Sequence, residues 1–158
     1  MIRHPATFAI LVGGAIAGAL DITYAILYSA WRGVAPTRLL QSVASGLIGT
    51  AAFAGGSRTA ALGLALHFLI AFSIATVYFL ASRRWPVLVT RPVLSGILYG
   101  VVVYAVMNLV VIPLSATPPR KTIYPLTLAT GLLVHMLFIG LPIALAARHA
   151  LAGRPRRA

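Results

Sequence analysis

Four polar side chains interrupt long apolar stretches of this chain, and each is of a type that can do chemistry: Asp21, His67, Asn108 and His135. An ionisable group inside an apolar span is expensive to leave unpaired, so it marks a functional site by default. Asp21 with His67 or His135 can pass protons or bind a cationic group. His67, His135 and Asp21 together can hold a divalent metal such as zinc. Two histidines on different helices can also serve as the axial ligands of a haem. A further reading needs no ligand: an Asp–His–Asn hydrogen-bond network that fixes helix register, because polar residues commonly act as glue between apolar helices. The residue types leave these readings open.

The stretches that carry these residues run over about 6–29, 59–81, 92–114 and 125–147. Each reaches the roughly 20 residues a helix needs to cross a hydrocarbon core about 30 Å thick. Pro92 and Pro125 stand at first-turn positions, where a missing N–H costs nothing. The expectation is an all-α integral membrane protein, a bundle of four transmembrane helices forming a single domain over residues 1–148. A basic tail over 149–158 follows, with Arg154, Arg156 and Arg157 at an anionic lipid surface. Residues 38–54 are too short and too polar for a span, with Gln41, Ser42, Ser45 and Thr50 among them. They read as an amphipathic or re-entrant helix between the first two spans, capped by Thr37 and placed to act as a lid. A fifth span is the competing reading.

Composition excludes other classes. The 158 residues include thirteen Lys and Arg, a single acid and no cysteine, for a net charge of +12, yet 60% are hydrophobic and 9% charged. A soluble domain averages about 25% charged residues. Hydrophobicity excludes disorder, the missing cysteines exclude a disulfide scaffold, and strong apolarity argues against a nucleic-acid partner. The basic residues gather between the spans, which leaves the lipid bilayer and its anionic lipids as the expected partners. Arg3, Arg83, Arg84, Arg91, Arg148 and the three tail arginines fall on one side; Arg32, Arg38, Arg58, Arg120 and Lys121 fall on the other. The positive-inside rule then places both termini in the cytoplasm. Trp31, Arg83, Arg84 and Trp85 stand at span ends as interface anchors.

In spans that alternate in direction, Asp21, His67, Asn108 and His135 fall on the same side of the midplane, within roughly 6 Å of one another in depth. That side is the outer half of the membrane under the orientation above. Small residues mark the packed faces: Gly14 and Gly18 share a face with Asp21, and Ala60, Gly63 and Ala71 share one with His67. Gly14–Gly18 and Gly96–Gly100, each a Gly-x-x-x-Gly pair, are expected to seat neighbouring helices of the same chain; a homo-oligomer or a membrane partner is the other use of such pairs. Tyr24, Tyr28, Tyr99 and Tyr104 can add hydroxyls, and Pro142 should kink the fourth span or end it.

The run from Leu66-His67-Phe68 to Ala81, with Ile70-Ala71-Phe72-Ser73 and Tyr78, then Pro86, and Asn108 to Pro119, resembles small bacterial inner-membrane proteins of the YagU type. His135 within Gly131-Leu132-Leu133-Val134-His135 is similar to a histidine in that family's last span. The resemblance covers about the second half of the chain. The loop between the first two spans is shorter here, and the loop before the fourth differs. It implies a helical protein of a bacterial cytoplasmic (inner) membrane, with an association to acid resistance and no settled chemistry.

Catalytic patterns are missing: there is no nucleophile elbow, no phosphate-binding glycine loop and no His-Glu-x-x-His, and one acid cannot make a carboxylate pair. The expected function is therefore non-enzymatic, a small transport or proton-linked component or an accessory subunit without a cofactor. The alternatives are a haem- or metal-binding redox protein and a purely structural scaffold.

Overall fold

The fold was taken from a computed structural model, which describes residues 4–119 and 125–151. Its elements are α1 (Pro5–Trp31), α2 (Pro36–Ile48) followed by a 3-10 segment (Gly49–Ala54), α3 (Gly56–Arg84), a short α4 (Val87–Thr90), α5 (Pro92–Leu114) and α6 (Pro125–Leu151). No strand occurs among the described residues. Four of the helices, α1, α3, α5 and α6, are long and apolar enough to cross a membrane. Arg3, Arg120, Lys121 and the three tail arginines lie outside the described residues, while His149 falls within the last turns of α6.

The four long helices form a ring in chain order with every neighbour antiparallel. On α1, Gly14 lies against Phe72 of α3, and Gly18 against Phe68 and Ala71. The other side of α1 meets α6: Gly13 faces Ile143 and Ala146 at one end, and Tyr28 bonds Thr127 at the other. On α5, Gly96 faces Gly140 and Leu141 of α6, and Gly100 faces the backbone of His135 and Met136. Tyrosines close the ring between α3 and α5. Tyr78 and Tyr99 pack edge to face at 4.9 Å, and the Tyr99 hydroxyl donates to Ile74 O.

The interior is therefore rich in small side chains and glycine, with Ala17, Ala75, Ala144 and Ala147 almost fully buried beside Tyr78, Phe79 and Ile143. Large aliphatic side chains point outward, including Leu27, Leu69, Leu98 and Leu109. This inverts the soluble pattern: contact between helices depends on close backbone approach rather than on burying leucines. At Gly140 the fit is extreme, because an added Cβ would strike Gly96 O and the Gly100 backbone.

Local chemistry explains the boundaries. After α1 the chain reverses through Gly33 at φ +79°, with the Val34 N–H donating to Ser29 O and the Gly33 N–H to Ala30 O, a Schellman closure. The expected Thr37 cap is not made. Ala35 takes the cap position without a side-chain bond, and Pro36 opens the helix, needing no partner for an N–H it lacks. Pro142 does not end the fourth span. Instead the helix widens to a π turn over His135–Gly140 and runs on to Leu151. A π turn at Met107–Val111 likewise precedes Pro113 in α5. Each proline ring would press on the carbonyl four residues before it, Phe138 or Leu109, and both of those residues lie inside the widened turns. Asn108 and His135 sit in these two turns.

Candidate functional site

The depth argument places the four polar residues toward one end of the bundle, and the antiparallel ring puts them there: the C-terminal halves of α1 and α5 and the N-terminal halves of α3 and α6. Asp21 and His67 come together, with His67 Nδ1 3.9 Å from Asp21 Oδ2. That is ionic range but too long for a hydrogen bond. His67 is oriented from its other side, where Nε2 donates to Gly18 O at 2.9 Å. A carbonyl can only accept, so Nε2 carries hydrogen and, in the neutral ring, Nδ1 presents a lone pair toward the carboxylate. Gly18 thus serves twice: its missing Cβ admits Phe68, and its carbonyl fixes the His67 ring.

His135 and Asn108 do not bond to this pair. His135 Nδ1 donates to Gly131 O one turn back, which leaves Nε2 as an acceptor, and its ring stands edge-on to Tyr104 at 5.1 Å. Asn108 Nδ2 donates to Tyr104 O, also one turn back. Among the described residues, then, none of the four side chains hydrogen-bonds another. They share space instead. A cavity of about 130 Å³ lies between Asp21, His67, His135, Met107 and Val43. A second of about 320 Å³ lies beside it, lined by Asp21, Tyr24, Tyr28, Tyr104, Asn108 and His135. Asp21, His135 and Met107 line both, so they stand at the boundary between the two.

Of the tyrosines expected to add hydroxyls, Tyr24, Tyr28 and Tyr104 line the larger cavity. Tyr99 does not: its hydroxyl is committed to Ile74 O toward the other end. Tyr28 pairs with Thr127 at 2.9 Å, and Arg32 donates to the same threonine at 3.3 Å. Among the described residues the Tyr24 hydroxyl is buried with no hydrogen-bond partner.

The segment after α1 covers this end. Leu39 of α2 lines the larger cavity and Val43 the smaller. The helix is held on α3 by Gly63, where an added Cβ would strike Leu40 O. Gln41, itself buried, donates to Gly56 O at 3.1 Å and Thr59 Oγ1 at 3.4 Å. Gly63 was expected to share the packed face of His67. The structure divides that face, giving Gly63 to α2 and His67 to α1. Gly46 accepts a bond from the Ala116 N–H at 3.0 Å, and Gly49 (φ +61°) closes α2 beside Ala116. The Gly46–Gly49 spacing is the sequence's trace of these contacts between α2 and the chain after α5. A third space of about 450 Å³ lies between them, lined by Ser42, Ser45, Phe53, Val111 and Pro118.

Trp31 and Trp85 end α1 and α3 and are 74% and 62% exposed; Arg83 and Arg84 are exposed beside Trp85. The two tryptophans therefore stand at opposite ends of the bundle. Among the described residues, no group of three His, Cys, Asp or Glu side chains is arranged to hold a metal ion. Compared with family models, curated proteins and solved structures, the chain matches none.

Proposed function

We propose that this chain is a multi-pass protein of a bacterial inner membrane, with both termini cytoplasmic, in which the Asp21–His67 pair takes up and releases protons as part of a small proton-linked transport component. Insertion in a membrane is supported by an exterior of large aliphatic side chains, an interior rich in glycine and alanine, and tryptophans at both ends. The observation that carries the proton reading is the lone pair of His67 Nδ1 set against the Asp21 carboxylate at 3.9 Å. Two acceptors held face to face in an apolar bundle repel unless a proton lies on one of them. Protonating His67 converts the repulsion to an ion pair, and losing that proton restores it. The carboxylate also opens onto the larger cavity.

Reconstituted vesicles loaded with a pH-reporting dye test this. Wild-type protein is expected to dissipate an imposed pH gradient, and Asp21→Asn to slow this at least about tenfold. Equal rates for both proteins, or no flux from either, contradict the proposal.

One observation favours a second reading. The His67–Gly18 bond ties α3 to α1, as a structural scaffold requires. Under that reading His67→Gln weakens the fold and no variant changes flux. The haem reading has less support, because the space lined by both histidines is about 130 Å³, far short of a porphyrin.

A further inference from the structure

The two cavities that meet at Asp21 have walls of different chemistry. The larger one lies among α1, α5 and α6 and carries polar groups along its length: Asp21 and Asn108 at the inner end, then Thr130, Tyr28, Ser29 and Thr127 toward the end that holds Trp31. Asp21 to Ser29 spans about 12 Å of helix, and Ser29 stands in the last turn of α1. Thr127, in the first turn of α6, meets the exposed Arg32 at 3.3 Å. This wall therefore runs from the carboxylate to the surface of the bundle. It offers donors and acceptors together. The Ser29 hydroxyl and the second Asn108 amide N–H make no hydrogen bond among the described residues, Asn108 also keeps Oδ1, and Asp21 accepts none. The smaller cavity differs. Apart from Asp21, His67 and His135 its side chains are apolar, with Val43, Ile70, Ile74 and Ile139 among them. Beyond it, toward the end that holds Trp85, Ala75, Tyr78, Ile143 and Ala144 are almost fully buried and fill the interior.

We infer that the larger cavity is a water-filled vestibule that joins Asp21 to the surface at the end holding Trp31 and to no other surface, so that Asp21 meets water directly and His67 meets it only through Asp21. About 320 Å³ holds about ten waters at liquid density. A bound water asks for about two to four polar partners, and it both donates and accepts, as this wall does. A carboxylate inside a membrane typically faces such a water-filled space. A space with apolar walls stays dry, which is the condition on the side of His67. His67 lines the smaller cavity and not the larger, with Nε2 on Gly18 O and Nδ1 against Asp21. The inference rests on the proton reading above for its use, since it names the side from which that pair is loaded. Hydration of the vestibule is measured without flux.

The chain has no cysteine, so single introduced cysteines report where water reaches. Silver ion reacts with the thiolate, which forms in water and is disfavoured in lipid or dry protein. Silver nitrate is added to the full-length protein in sealed right-side-out and inverted membrane vesicles. The rate at which each thiol is blocked is read by later alkylation under denaturing conditions and mass spectrometry. Asn108 lines the vestibule, whereas its neighbour Leu109 is 75% exposed on the outside of the bundle. Asn108→Cys is expected to be blocked at least about tenfold faster than Leu109→Cys, and only from the face on which Trp31 lies. Ile74→Cys, in the wall of the smaller cavity, is expected to stay unreactive from both faces. Ala25→Cys against Leu27→Cys repeats the comparison on α1 should Asn108→Cys fail to fold. Equal rates within a pair, equal reaction from both faces, or a reactive Ile74→Cys overturns the inference. Fast, one-sided blocking in a protein that dissipates no pH gradient would remove the proton reading and leave the vestibule standing. A gradient dissipated by a protein whose vestibule cysteines react no faster than their partners would do the reverse.

Discussion

The same four helices are packed in two ways along their length. Toward the end that holds Trp85, the ring is closed: Tyr78 is almost wholly buried with its hydroxyl on Leu88 O, and Gly96 and Gly140 bring α5 and α6 into backbone contact. Toward the end that holds Trp31, cavities open beside the Asp21 and His135 side chains, two of the helices widen into π turns, and α2 lies over them. One half is made of alanine, glycine and tyrosines whose hydroxyls are matched. The other carries the chain's acid, an unmatched hydroxyl and cavities. The contrast separates the tightly packed part of the molecule from the part with open space between its helices, and it assigns a different cost to mutation in each.

The largest effect is expected in the closed half. Gly140→Ala places a Cβ against Gly96 O, and backbone cannot move aside, so unfolding in detergent should become easier by about 3 kcal/mol. Gly63→Ala tests the cover over the open half: losing the seat of Leu40 O should cost about 2 kcal/mol, and hydrogen exchange should rise in α2 while the contacts of α5 with α6 stay protected. A change spread evenly over all helices would break the distinction between the halves. His67→Gln, in the open half, removes one tie to Gly18 O and should cost less than about 1 kcal/mol while suppressing proton flux. The smallest effect on stability is expected at Tyr24, where Tyr24→Phe deletes an unmatched hydroxyl and should leave the unfolding midpoint unchanged or slightly raised. A clear loss of stability there would mean that the hydroxyl has a partner that the open half does not account for.

Much of this arrangement was legible before the fold was known, for physical reasons that differ by residue. Apolar length and the segregation of arginines mark the four long helices, because a backbone in lipid has few alternatives. The shared depth of Asp21, His67, Asn108 and His135 follows from rise per residue alone. What spacing cannot reveal is rotation and pairing. Asn108 and His135 share the depth of Asp21, yet each gives its N–H to a carbonyl of its own helix, which only the π turns before Pro113 and Pro142 make intelligible. Tyr99 looked equivalent to Tyr104 in sequence and belongs to the closed half. The anchoring of α2 by Gln41 and Gly63 is a long-range match between a short polar helix and a gap on α3, and neither segment announces it alone.

The proton proposal turns on whether Asp21 exchanges protons against His67 or serves as a fixed strut. Asp21 is the chain's only acidic side chain, so a carboxylic-acid band in the infrared spectrum can come only from it or from the C-terminal carboxyl. The direct measurement is a pH titration of that band between about pH 4 and pH 9, in wild-type protein and in the Asp21→Asn and His67→Gln variants. A titrating band is expected that is lost in Asp21→Asn and displaced along the pH axis in His67→Gln. A band that does not titrate, or one that titrates identically with and without His67, would contradict it.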